Sequence, residues 1–169
     1  MTSRVALDTS VAFHLVTAKP VTGQAAAWSD ATELVELSDR YEFFLPTPTL
    51  GEVLCVVPPE VREKTQSALC QTFAPLMFDI QAARAAADLW YVINRSAKRK
   101  ALKITRESLK VDHQIVGCAI RYKMDFVCST DARLIDQVAP HGMRVRLCTP
   151  AQLMSMSQRA LRFDETPEE

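Results

Sequence analysis

Short apolar runs bounded by polar residues alternate along this chain with longer stretches of helical periodicity. The run Val5-Ala6-Leu7 closes on Asp8 and predicts a first strand over 4–7. A helix over about 10–17 follows, which the side chains of the Asp8-Thr9-Ser10 step can cap. A second helix is expected over 22–39, with Ala26, Ala27, Leu34, Val35 and Leu37 among its apolar positions and Trp28 as an anchor. After a strand over 42–46, Pro48 and Thr49 start a third helix carrying Glu52, Val53 and Val56. Pro58-Pro59 ends that helix and launches a fourth to about Phe73. The apolar residues of 76–80 read as a third strand and the alanine-rich 81–98 as a helix. A helix over 108–124, a strand over 125–129, a short helix over 134–138, a strand over 143–148 and a helix from Thr149-Pro150 to about 161 complete the pattern. Alternating strands and helices imply an α/β protein with a parallel sheet covered on both faces.

The length of 169 residues and 48% hydrophobic content fit one globular domain over 1–150, able to bury a core without disulfides or structural metal. A C-terminal helix and an acidic, proline-containing tail occupy 151–169, the tail from Asp164 onward being expected to be disordered. Twenty basic and twenty acidic residues cancel, so any polyanion site has to be a local patch. Cys55, Cys70, Cys118, Cys128 and Cys148 are an odd set without paired spacing, and read as small buried hydrophobes of a reducing compartment. No stretch suits a signal peptide or a membrane span, so a cytoplasmic location without membrane contact is expected.

Four carboxylates stand where open α/β proteins build their sites. Asp8 follows the first predicted strand and Asp131 follows Phe126-Val127-Cys128 after a Ser129-Thr130 step, so both belong to carboxyl strand ends. Ile115, Val116, Ala119 and Ile120 follow Asp112 at offsets of three, four, seven and eight, which puts that acid on the apolar face of its helix. Glu52 comes from a helix start that can overhang the same crevice. Acids converging without basic partners repel, and magnesium or manganese is the cation that suits oxygen-only ligands. Two such ions roughly 4 Å apart could clamp a phosphodiester for attack by water. Plainer readings stay open: a helix cap for Asp8, a capping box Thr49-x-x-Glu52, a helix-dipole role for Asp112 and a turn for Asp131. Ser10 and Ser129 could orient a carboxylate or a water, or be solvated hydroxyls. His14, His113 and His141 share no ligand spacing and read as tolerated imidazoles. One strongly basic segment, with Arg95, Lys98, Arg99, Lys100, Lys103, Arg106 and Lys110, could grip phosphates or be a solvated face.

With Asp8-Thr9-Ser10, Glu52 after Pro48-Thr49-Leu50-Gly51, Lys110-Val111-Asp112-His113-Gln114-Ile115 and Ser129-Thr130-Asp131, the chain resembles a PIN-domain ribonuclease over about 4–148. Small members of that family include the VapC-type toxins of VapBC toxin-antitoxin pairs. The resemblance implies a three-layer α/β/α sandwich around a five-stranded, mainly parallel sheet. It also implies Mg2+- or Mn2+-dependent cleavage of RNA, frequent homodimerisation and, for the toxins, a small antitoxin that covers the site. By position, Asp8, Glu52, Asp112 and Asp131 would form the acidic site, Asp8, Asp112 and Asp131 holding metal and Ser129 standing beside the last acid. Two departures stand out. The chain is longer than the compact toxins, and Ala132, Arg133 and Leu134 follow Asp131 where a further acid is usual, which puts a second metal in doubt. A haloacid-dehalogenase-like phosphatase, with Asp8 as nucleophile, is disfavoured by Ser10 at the place of that family's second aspartate. A degenerate PIN domain acting as an RNA- or protein-binding scaffold is the non-enzymatic alternative.

Overall fold

A computed structural model describes residues 2–17, 19–20, 22–95, 108–138 and 144–164, apart from the side chains of 94, 108–110, 137 and 158–164. Along the chain run β1 (Ser3–Leu7), α1 (Thr9–Val16), α2 (Ala25–Val35), β2 (Tyr41–Pro46), α3 (Thr47–Val56), α4 (Pro59–Thr72) and β3 (Ala74–Leu76). After these come α5 (Ile80–Arg95), α6 (Ser108–Arg121), β4 (Phe126–Cys128), α7 (Ala132–Val138), β5 (Arg146–Cys148) and α8 (Pro150–Asp164). The expected tail beyond Asp164 and the first part of the strand expected over 143–148 include residues outside the described set.

All four strand pairings are parallel, in the order β3-β2-β1-β4-β5. The alternation of side chains along each strand splits the core in two. Val5, Leu7, Phe43, Leu45, Phe126 and Cys128 face one way, onto Val11 of α1, Leu34 of α2, Leu69 of α4 and Leu153 of α8. Ala6, Phe44, Leu76 and Val127 face the other way, onto Ala82 of α5 and Ile115, Cys118 and Ala119 of α6. The result is the three-layer α/β/α sandwich. Leu134 and Val138 extend the second helical layer by packing with Leu89, Ile93 and Val116. The last helix shares the first core: besides Leu153, its Leu153 carbonyl accepts from Tyr41 Oη at 3.1 Å and its Ser157 carbonyl from Arg40 Nη1 at 2.7 Å.

β3 lies earlier than the expected 76–80. Its Pro75 is tolerated because β3 is an edge strand, and Asp79 leaves the sheet to cap α5, its Oδ1 accepting from Ala82 N at 2.8 Å. Ile80, read as a strand residue, is left exposed. Cys118, Cys128 and Cys148 are buried as expected, whereas Cys55 and Cys70 are exposed. The layer of α5 and α6 depends on Gly117: a Cβ there would stand 2.6 Å from the Ala82 carbonyl oxygen and 2.9 Å from Ala86 Cβ. No helix among the described residues is long and apolar enough to cross a membrane.

Candidate functional site

β1 and β4 are neighbours at the centre of the sheet, and β2 and β3 lie on one side of them with β5 on the other. Chain order therefore reverses between β1 and β4, which opens a crevice beyond their carboxyl ends. Asp8 occupies that crevice. Its backbone N–H extends the ladder by donating to the Cys128 carbonyl at 2.9 Å, and its side chain is buried.

The Asp8 Oδ2 atom accepts from Ser10 Oγ at 2.6 Å and from Ser129 Oγ at 2.8 Å, with a longer bond of 3.3 Å from Ser10 N. The two hydroxyls in turn accept backbone N–H groups, Ser10 Oγ from Thr130 at 2.9 Å and Ser129 Oγ from Asp131 at 3.0 Å. Each hydroxyl has one proton, and both protons go to Asp8. The 3.3 Å approach of the two hydroxyl oxygens is therefore proximity rather than a further bond. Asp8 thus caps α1 and also holds the turn after β4, so the cap reading and a site role coexist.

Glu52 is in the second turn of α3, and its Oε2 accepts a hydrogen bond from Thr9 Oγ1. The capping-box alternative for Glu52 is overturned: α3 starts at Thr47, its N-cap is Pro46 with no side-chain cap bond, and Thr49 Oγ1 donates instead to the buried Leu7 carbonyl at 3.0 Å. Thr49→Val removes that donor at nearly constant volume and leaves a buried carbonyl unpaired. Thermal melting should show a loss of about 1–3 kcal/mol; an unchanged melting temperature would mean that the bond adds nothing.

Asp112 is the fifth residue of α6, past a first turn that holds no acid, so it is not a helix-start acid. Burial first, then the charges of Asp8, Asp131 and Glu52, push its pKa up to about 7, against a smaller opposing pull from Arg133. Asp8, Asp131 and Glu52 are therefore each within electrostatic reach of Asp112. Asp131 differs, because the guanidinium of Arg133 forks onto it, Nη2 to Oδ2 at 2.8 Å and Nε to Oδ1 at 3.1 Å, while Arg133 N donates to Oδ1 at 2.8 Å. These bonds hold the Asp131 carboxyl below the usual carboxylate range. Arg133 and Thr9 are the partners that the sequence does not announce.

An oxygen-only donor set with one carboxyl lifted by burial and then by like charge is chemistry that a hard divalent cation fits. Asp8, Asp112 and Asp131 are the side chains that could hold it. Among the described residues, no three acids, imidazoles or thiols meet at one ion-sized point in this arrangement.

Of the basic candidates, Arg95 is exposed at the end of α5, donating from Nη1 to Tyr91 Oη at 2.5 Å with its guanidinium 5.3 Å from that ring's centre. Lys98, Arg99, Lys100, Lys103 and Arg106 lie outside the described residues, as does the side chain of Lys110. His14 is buried edge-on to Phe13, and burial lowers its pKa. His113 packs edge-on to Trp90 at 5.3 Å, and His141 lies outside the described residues. Away from the acids, Leu15, Val16, Val35, Leu69 and Phe73 line an apolar groove of about 570 Å³ between α1, α2 and α4.

No family model matches the sequence, and no curated protein matches it significantly. Solved structures do match. A DNA-bound VapBC from Salmonella typhimurium gives a TM-score of 0.62 at 18% identity, covering 89% of this chain and 99% of the other. VapBC2 from Rickettsia felis, bound to a DNA fragment from its promoter, gives 0.59 at 13% identity, covering 86% and 98%. VapC20 from Mycobacterium tuberculosis, a sarcin-ricin-loop-cleaving toxin, gives 0.53 at 15% identity, covering 84% and 98%. This chain therefore has the fold of the VapC-type PIN domains.

Proposed function

We propose that the protein is a metal-dependent endoribonuclease that hydrolyses RNA phosphodiester bonds, and that it serves as the toxin of a toxin-antitoxin pair. The observation that carries this reading is the placement of buried Asp8 directly after β1 and of Asp131 in the turn after the neighbouring β4, with Asp112 near enough to feel their charges and that of Glu52. Likeness in fold to VapBC proteins, one of which is described as cleaving the sarcin-ricin loop, supports it.

In this reading Asp8, Asp112 and Asp131 hold Mg2+ or Mn2+. Such an ion supplies neutralisation of phosphate charge and lowers the pKa of water in its coordination sphere. Ser10 and Ser129 keep Asp8 in one orientation, since rotation of the carboxylate would break two hydroxyl bonds at once. Thr9 fixes Glu52 through Oε2. The Oε1 atom is not part of that bond and is the one assigned to orient the attacking water and accept its proton. Arg95, Lys98, Arg99, Lys100, Lys103 and Lys110 hold the RNA backbone electrostatically. A small antitoxin and a second copy of the chain are the proposed protein partners, and the apolar groove gives a partner surface to bury.

Purified protein should cut members of a panel of structured RNAs with Mg2+ or Mn2+ and stop on chelation, recovering when metal is restored. Cleavage that persists in chelator would remove the metal from the reading. The scaffold alternative draws on one observation, that no three described donors meet at one point. It predicts no Mn2+ binding by calorimetry.

A further inference from the structure

We propose that Arg133 is a protein-supplied cation of the catalytic site, holding the place of a second metal ion and contacting the phosphate of the bound RNA. The inference rests on the nuclease reading above and concerns how that site is charged.

The Asp131–Arg133 pair joins neighbours two apart in one turn, with the arginine side chain 69% exposed. Such an exposed pair contributes little to folding, because solvent screens it. Its influence falls on the site, because the fork holds the guanidinium against Asp131, whose amide is bound to the hydroxyl that serves Asp8. The fork engages Nε and Nη2, and the Nη1 edge takes no part in it. A planar guanidinium can pair with a carboxylate along one edge and meet a phosphate oxygen with its remaining donors, which lysine cannot do in the same geometry. Both Asp131 oxygens accept from Arg133, and Oδ2, with one such bond, keeps a further lone pair for the proposed metal ion, so the guanidinium stands next to that ion. The position two residues on thus carries a positive side chain where a metal-binding acid would carry a negative one. In-line displacement at a phosphodiester is favoured by positive charge at both the attacking and the leaving oxygen, and one divalent ion with one guanidinium would supply two such centres. The chain has zero net charge, so RNA is drawn by local cations of this kind rather than by a global field.

Mn2+ stoichiometry, read by calorimetry and electron paramagnetic resonance, and metal-free RNA binding, read by anisotropy of a labelled oligoribonucleotide in chelator, test this together. The wild-type chain should bind one Mn2+ and Arg133→Asp two. Arg133→Ala should weaken RNA binding by roughly 5- to 10-fold and lower the salt slope by about one, and Arg133→Lys should recover part of the affinity. Circular dichroism melts confirm that each variant is folded. Two Mn2+ in the wild type, one in Arg133→Asp, or unchanged RNA affinity in Arg133→Ala each overturn the proposal. These failures are separable from failure of the nuclease reading: wild-type protein that cuts no RNA refutes that reading, whereas equal cutting by wild type and Arg133→Ala refutes only the role of Arg133.

Discussion

Asp112→Asn is expected to take RNA cleavage below detection, a loss of at least about 100-fold, while making the metal-free protein more stable at pH 8. Asp8→Asn should lose cleavage in the same way. The stability gain follows from the direction of the Asp112 shift. Its folded pKa of about 7 is above the ordinary value of 3.8, so folding takes up a proton between those limits. The stability that this group contributes is complete below about pH 4, falls as pH rises and is gone above about pH 7. A shift of about three units corresponds to about 4 kcal/mol at most, and solvent screening brings it nearer 2 kcal/mol. Asparagine does not titrate, so in chelator the two proteins should melt together near pH 4, diverge up to about pH 7 and keep that difference to pH 8, the variant higher. Added Mn2+ should then raise the wild-type melting temperature and leave the variant nearly unmoved. A pH-independent difference between the two would contradict the assignment of Asp112 as the strained member of the cluster.

Gly117→Val should lower stability by about 2–3 kcal/mol, a fall in melting temperature of roughly 5–10 °C for a chain of this size. The atoms in the way of a side chain are the Ala82 carbonyl oxygen at 2.6 Å, Ala86 Cβ at 2.9 Å and Ala86 N at 3.0 Å. None is the far end of a flexible side chain, so α5 and α6 would have to part. Asp112 is on α6, five residues before Gly117, and the displacement should be felt at the acid as weaker Mn2+ binding. A variant that melts with the wild type would show that the two helices slide apart without cost.

The acids were legible because they interrupt apolar runs: Asp8 ends Val5-Ala6-Leu7, and Asp112 precedes a helical stripe. That β1 lies beside β4 is a tertiary fact, set by packing between residues more than a hundred apart, and the sequence could offer it only as a condition. The misplaced β3 has a local cause. Leu76, Met77, Phe78 and Ile80 look like a strand, but the capping power of Asp79 outweighs their β-propensity. Thr49-x-x-Glu52 shows the reverse error, a correct motif used otherwise, since the helix begins two residues earlier and the threonine hydroxyl is more useful on the Leu7 carbonyl. Arg133 was visible as a missing acid but not as a partner, because nothing in Ser-Thr-Asp-Ala-Arg says that the side chain folds back.

The turn from Ser129 to Asp131 starts at a buried residue, and its Thr130 and Asp131 amides are bound to hydroxyls whose protons belong to a buried charge. Releasing the turn would take the Ser129 donor from Asp8 and free the Ser10 hydroxyl of the Thr130 amide in one event. In the language of local unfolding, the turn belongs to the cooperative unit of β1 and β4 rather than to the loops around it. It opens when the centre of the sheet opens.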